Sequence, residues 1–216
     1  MTGPIRTALL VVDVQNDFCT GPRAEARFGT DPAALHSAVA GTVRAVARAR
    51  RRGVEPVFVR FVGDPEYQGA SWSSRDARRG SAPKCLEGTR GAEFHGVAPA
   101  PGEAVVTKKA VFDAFLGTDL EELLRRRGVG HLVLTGLFTD VCVDSTARTA
   151  FQKGFHLTVL RDCTTALYLP TDDMLGFMST LYGARVTTAD DPAAWDAPPY
   201  AGGAGEPVPS GEGQRE

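Results

Sequence analysis

An aspartate, a lysine and a cysteine each stand at the end of an apolar run: Asp13 after ALLVV, Lys109 after AVVTK, and Cys142 after HLVLTGLFTDV. Taken singly, each has an ordinary explanation. Asp13 suits a turn or helix cap, Lys109 a solvated surface, and Cys142 an inert core position. Taken together they could do chemistry. A thiol at the start of a helix feels the positive end of the helix dipole, and a nearby ammonium favours its ionised form. An aspartate can accept the thiol proton and later return it to a leaving amine. Backbone N–H groups of the same turn can hold an oxyanion. That combination is acyl transfer through a thioester, with lysine and aspartate where histidine is usual.

The histidines agree by their positions. His36 falls inside a helical pattern, and His131 and His156 open strands at the opposite, amino-terminal edge. Only His95, in a long loop, could approach the trio. No two histidines or cysteines have metal-ligand spacing and no HExxH is present, so no metal is expected. Neither GxGxxG nor GxxxxGK[ST] occurs, so no nucleotide cofactor is expected either.

The elements that must position the trio alternate in type. Strand patterns at 7–14, 54–62, 103–108, 131–136, 155–162 and 184–188 are separated by helical patterns at 32–53, 118–128, 143–154 and 171–183. Thr118 is a plausible cap for the second of these helices and Gly128 its stop. Strands apolar throughout, each followed by a helix, indicate an α/β fold: three-layer, Rossmann-like, with a mainly parallel sheet of about six strands covered by helices on both faces. Such sheets bind ligands at the carboxyl ends of their strands. Asp13, Lys109 and Cys142 all fall at that edge.

Two regions break the alternation. Residues 63–102, rich in Gly, Ser, Arg and Pro, are too long for a plain connection and read as a solvated loop or a substrate lid. From about Pro198 to Glu216 the chain is Gly/Pro/Glu-rich, so residues 1–197 are read as one domain and 198–216 as a disordered tail. With 216 residues, 43% of them hydrophobic, and a net charge of −2, the chain suits a single globular domain. That charge gives no electrostatic case for nucleic acid or an acidic membrane. No apolar run reaches the roughly 20 residues of a membrane span. Four scattered cysteines and no export signal point to a reduced, cytoplasmic protein.

The stretches VVDVQNDF (11–18), GTRGAEF (88–94), KAVFDAFLGTDL (109–120) and TGLFTDVCVDSTARTAFQKGF (135–155), in this order, resemble the isochorismatase-like cysteine hydrolases over about residues 7–188. The resemblance implies a catalytic triad of Asp13, Lys109 and Cys142, with the lysine keeping the thiol ionised. The family lysine lies four residues before the first position of an xAF triplet, here Asp113-Ala114-Phe115, which selects Lys109 over its neighbour Lys108. The resemblance also implies a cis peptide at Leu137–Phe138 and an oxyanion hole from the Phe138 and Cys142 N–H groups. Retention of the cysteine favours the amidohydrolase branch, which cleaves linear amide or ureido C–N bonds of small molecules. Nicotinamidases of that branch hold a metal through histidines after the second strand. The corresponding stretch here, VRFVGDPEYQGASWSSRDARRG, has none, which favours metal-free relatives such as the carbamoylsarcosine, ureidoacrylate and biuret hydrolases. Phe18 and Phe138 are expected on the pocket walls. Tyr67, Trp72, Arg75 and Arg78 belong to the long loop, with Trp72 and Arg75 as substrate-binding candidates and arginine suited to a substrate carboxylate. A homo-oligomer, dimer or tetramer, is expected by the same analogy. Two alternatives stay open: vinyl ether hydrolysis of the isochorismatase type, which needs the aspartate but not the thiol, and a non-enzymatic binding protein on the same fold.

Overall fold

Alternate residues of the first strand go to opposite sides of a sheet, and both sides are apolar. Leu10 and Val12 join one buried cluster and Leu9 and Val11 another. This is why the strands read as unbroken hydrophobic runs rather than as alternating ones. In the computed structural model, which describes residues 5–20, 24 and 32–197, the strands are β1 (Arg6–Val12), β2 (Glu55–Val62), β3 (Ala104–Lys109), β4 (Val129–Leu137), β5 (His156–Thr165) and β6 (Arg185–Thr187). They form one sheet in the order β3-β2-β1-β4-β5-β6, and every pair is parallel. The tail read as disordered lies outside the described residues.

Helix α1 (Ala33–Arg52) covers one face through Leu35, Val39, Val46 and Ala49, and ends at Gly53 in the left-handed conformation. Glycine at position 41 lets this helix lie against β5: a Cβ there would come within 1.9 Å of the Asp162 carbonyl oxygen. On the other face pack α3 (Leu120–Arg126), α4 (Asp144–Gln152) and α5 (Thr171–Tyr182), through Leu120, Leu124, Ala147, Ala150, Leu175 and Met178. The Thr118 hydroxyl accepts from the Leu120 N–H at 3.2 Å at the start of α3. Among the described residues no helix is long and apolar enough to cross a membrane.

The stretch 63–102 holds, besides two short 3-10 turns (Pro65–Tyr67 and Arg90–Ala92), a helix that its sequence does not signal, α2 (Ala70–Arg79). None of its residues is buried. The apolar repeat by which helices are recognised is therefore missing.

Candidate active site

The trio's scaffold is the carboxyl edge of the sheet. Asp13 follows β1 directly and adopts φ 53°, the left-handed region that aspartate tolerates better than most residues. Its N–H is held by the Val59 carbonyl at 3.0 Å. Two residues on, Gln15 is wholly buried and ties the surrounding loops together. Its amide donates to the Phe61 and Ala92 carbonyls at 2.8 and 2.9 Å and accepts from the Phe61 N–H at 2.7 Å. Asp17 takes the Cys85 N–H at 2.6 Å. The motif VVDVQNDF thus builds the site's frame as well as its carboxylate.

The lysine beside Asp13 is Lys108, not Lys109. Lys108 Nζ lies 2.7 Å from Asp13 Oδ2, both side chains being essentially inaccessible, and donates to the Phe112 carbonyl at 2.5 Å. Strand parity decides this. Lys108 shares a face of β3 with Val106, which belongs to the core, whereas Lys109 follows Val105 and Thr107 outward. Lys109 is exposed, and its ammonium rests 4.0 Å from the centre of the Tyr67 ring. The spacing that selects Lys109 is therefore off by one residue. After β3, Ala110 takes φ 48°, and the turn that follows carries the Phe112 carbonyl back to the Lys108 ammonium.

Cys142 sits in a π-helical turn, Thr139–Val143, that leads into α4. Such turns are rare and cluster at functional sites. The peptide bond from Leu137 to Phe138 is cis, and the Phe138 carbonyl accepts from the N–H groups of Val141 and Val143 at 3.0 and 3.1 Å. Asp140 spans outward from this turn. Its carboxylate accepts the N–H groups of Leu167, Tyr168 and Leu169 at 2.8, 2.7 and 3.1 Å, fastening the loop after β5 to the turn that carries Cys142. Nothing in the run of residues around Asp140 signals so distant a set of partners.

Burial governs the electrostatics. It pushes the Asp13 carboxyl above the ordinary carboxylate range, against the Lys108 ammonium that favours ionisation. Burial also works to lower Lys108, but the negative charge available from Asp13 and Cys142 outweighs it and the group stays cationic. The Cys142 thiol is pushed well up by burial, with Lys108 opposing and Asp13 adding. Burial of Cys142 thus works against the ionised thiol that the resemblance implies, while Lys108 favours it.

A cavity of about 390 Å³ opens above the trio, within the range of small-molecule sites. Asp13, Cys142, Phe18, Trp72, Arg75 and Phe138 all line it. Tyr67 and Arg78 do not, and Lys109 does not. His95 instead pairs through Nδ1 with Asn16 Oδ1 at 2.9 Å. Arg75 is less available than its sequence position suggests: Nε and Nη2 both donate to Asp76 Oδ1, at 3.0 and 2.8 Å, and the guanidinium stacks 4.3 Å from the centre of the Trp72 ring. Among the described residues no group of three potential metal-ligating side chains occurs.

A domain model described as isochorismatase matches residues 7–191. A ureidoacrylate amidohydrolase from Methylobacterium radiotolerans is 34% identical over 175 residues, which is 74% of this chain and 67% of that protein. An N-carbamoylsarcosine amidase from Thermoplasma acidophilum matches in structure with a TM-score of 0.73 at 26% identity, covering 87% of this chain and 98% of that one. A nicotinamidase from Bacillus subtilis matches with a TM-score of 0.70 at 26% identity, covering 85% and 100%.

Proposed function

From the premise that this chain belongs to the isochorismatase family, we propose that it is a cysteine amidohydrolase that opens a linear amide or ureido C–N bond through a thioester, with Asp13, Lys108 and Cys142 as its catalytic residues. The observation that carries the reading is the buried Lys108–Asp13 pair at 2.7 Å beside the thiol on the cavity floor. A charged pair is costly to bury, and a purely structural site gains nothing from placing a cysteine against it.

The steps follow from the resting protonation states. Cys142 gives its proton to Asp13 as sulfur bonds to the carbonyl carbon. The resulting oxyanion is held by backbone N–H groups of the nucleophile turn, with Phe138 and Cys142 the donors that the family resemblance assigns. As the C–N bond breaks, Asp13 returns the proton to the departing nitrogen. Water then attacks the thioester, Asp13 takes its proton, and the thiol is restored as the acid leaves. Lys108 remains an ammonium throughout and steadies the carboxylate each time it forms.

Removing the nucleophile tests this. In Cys142→Ala, turnover of a responsive amide or ureide should fall by about 10³-fold or more, with only the remaining binding and oxyanion contacts left to act. A rapidly quenched wild-type reaction should carry an acyl adduct on the Cys142 peptide by mass spectrometry. Near-normal turnover by Cys142→Ala would sink the thioester and leave an aspartate-driven ether hydrolysis. A homo-oligomer and a cytoplasmic location belong to the same reading. Phe151, Phe177 and Leu181, exposed on α4 and α5, are its support for self-association, and a monomer by light scattering at micromolar concentration would contradict it.

A further inference from the structure

A lysine ammonium has three donors, and what accepts them fixes where they point. At Lys108 one faces the Asp13 carboxylate and a second donates to the Phe112 carbonyl at 2.5 Å. Asp13 depends on this arrangement. Both of its oxygens are buried, and among the described residues neither takes a well-formed hydrogen bond. The Lys108 charge at 2.7 Å is what answers the carboxylate. Whatever fixes the Phe112 carbonyl therefore helps to aim the ammonium.

That carbonyl lies just past the end of β3, where Ala110 turns out of the strand at φ 48°. From there the segment is fastened to α4, the helix that leaves the Cys142 turn. Asp113 Oδ2 accepts the Thr149 hydroxyl at 2.7 Å, and the Ala114 N–H donates to Thr146 Oγ1 at 3.1 Å. Asp113 Oδ1 also accepts the Phe115 N–H at 2.8 Å, which closes the turn locally. On the cavity side the Phe112 ring meets Trp72, their centres 4.8 Å apart. One carboxylate thus joins the segment holding the lysine's acceptor to the helix that follows Cys142. Asp113 does not itself line the cavity.

We propose that Asp113 is a positioning residue: by clamping the turn 110–115 to α4, it holds the Phe112 carbonyl where that oxygen aims the Lys108 ammonium at Asp13 and Cys142. The proposal rests on the amidohydrolase reading for turnover only, because the aim of the ammonium also acts on the thiol by itself. Asparagine at this position keeps both contacts, Oδ1 accepting from Phe115 and Nδ2 donating to the Thr149 hydroxyl. Alanine keeps neither. Thr149→Val removes the link to α4 and leaves the local turn.

The test compares the wild type with Asp113→Asn, Asp113→Ala, Thr149→Val, Lys108→Met and the double variant Asp113→Ala/Lys108→Met. Two quantities are read: kcat and KM on phenylurea, benzamide and N-carbamoylglycine, and the rate at which iodoacetamide alkylates Cys142 with no substrate present. Asp113→Ala should lose about 10–100-fold in kcat with KM nearly unchanged, the scale of a misplaced reacting group. It should slow alkylation about threefold, part of the roughly tenfold expected when Lys108→Met removes the ammonium altogether. Thr149→Val should fall between Asp113→Ala and the wild type, and Asp113→Asn should stay within about twofold of the wild type. In the Lys108→Met background Asp113→Ala should cost nothing more in either quantity, because no ammonium is left to aim. A merely structural role would cost the same in both backgrounds. Alkylation that follows this pattern without hydrolysis of any of the three compounds would uphold the inference and sink the amidohydrolase reading. Losses that add across the two backgrounds, or an Asp113→Ala protein equal to the wild type, would overturn the inference and leave that reading standing.

Discussion

Exchange of Lys108 for methionine removes the ammonium while keeping an unbranched side chain of similar length. The charges it separates lie 2.7 Å apart; at an effective dielectric of about 20, Coulomb attraction at that distance is about 6 kcal/mol. Desolvation of both groups offsets much of it, and breaking one half of a buried pair costs about 3–5 kcal/mol in practice. Asp13 escapes part of that cost by holding a proton, because burial already pushes its carboxyl up and the opposing ammonium is gone. A protonated Asp13 cannot accept the thiol proton. We therefore expect Lys108→Met to fold and to lose about 10²–10⁴-fold in kcat/KM, the scale of general base catalysis. What activity remains should climb as pH rises and Asp13 is forced to ionise. Lys109→Met removes only an exposed contact with the Tyr67 ring and should leave kcat/KM within about twofold of wild type. The assay is kcat/KM across about pH 6–9 for both variants, with thermal melts alongside. A Lys108→Met enzyme close to wild type, or a dead Lys109→Met enzyme that melts normally, would refute the reasoning.

His131 is fully buried between the Thr7 and Thr158 hydroxyls, and burial, helped by the charges of Arg185 and His156, pushes it down from 6.5 to about 4. The unfolded chain then binds the extra proton, so this contribution is complete above about pH 6.5 and is lost as pH falls toward 4. It amounts to about 3 kcal/mol, and denaturant titrations should show His131→Gln with a flatter stability profile in that window; an unchanged slope would contradict it. Gly136 has φ 108°, and a Cβ there would come within 2.0 Å of the Val12 carbonyl oxygen. Gly136→Ala should cost about 3 kcal/mol or more and lower Tm by roughly 6–12 °C; an unshifted melt would mean the strands part more easily than their contact suggests. Dialysis against a chelator should leave turnover unchanged, and a loss reversed by zinc or manganese would overturn the metal-free reading.

The sheet was legible because its strands are apolar on both sides, and Asp13 and Cys142 stood out because one follows such a strand directly and the other a short turn after one. The lysine was not, because Val105 and Val106 give β3 no polar face from which to count. Only the pairing of Phe61 with Lys108 and Val62 with Lys109 fixes which ammonium points inward. Helix α2 was hidden for a related reason: Trp72 is its one large apolar residue, packed half-buried against the small cluster around Phe61. Asp140 was hidden because its role depends on a loop more than 25 residues away in sequence.

One consequence lies in where the ammonium comes from. Lys108 reaches Asp13 from the outermost strand, across β2, and β3 is bonded to a neighbour on one side only. Outer strands open in local excursions well before a molecule unfolds as a whole. Each excursion of β3 strands the Asp13 carboxyl without its counter-charge while the rest of the sheet persists. Catalytic competence is thus tied to the looser margin of the fold, and on warming it should fade ahead of the cooperative transition. Amide exchange at Thr107 and Lys108 would then report the working fraction of the enzyme more faithfully than any probe of its interior.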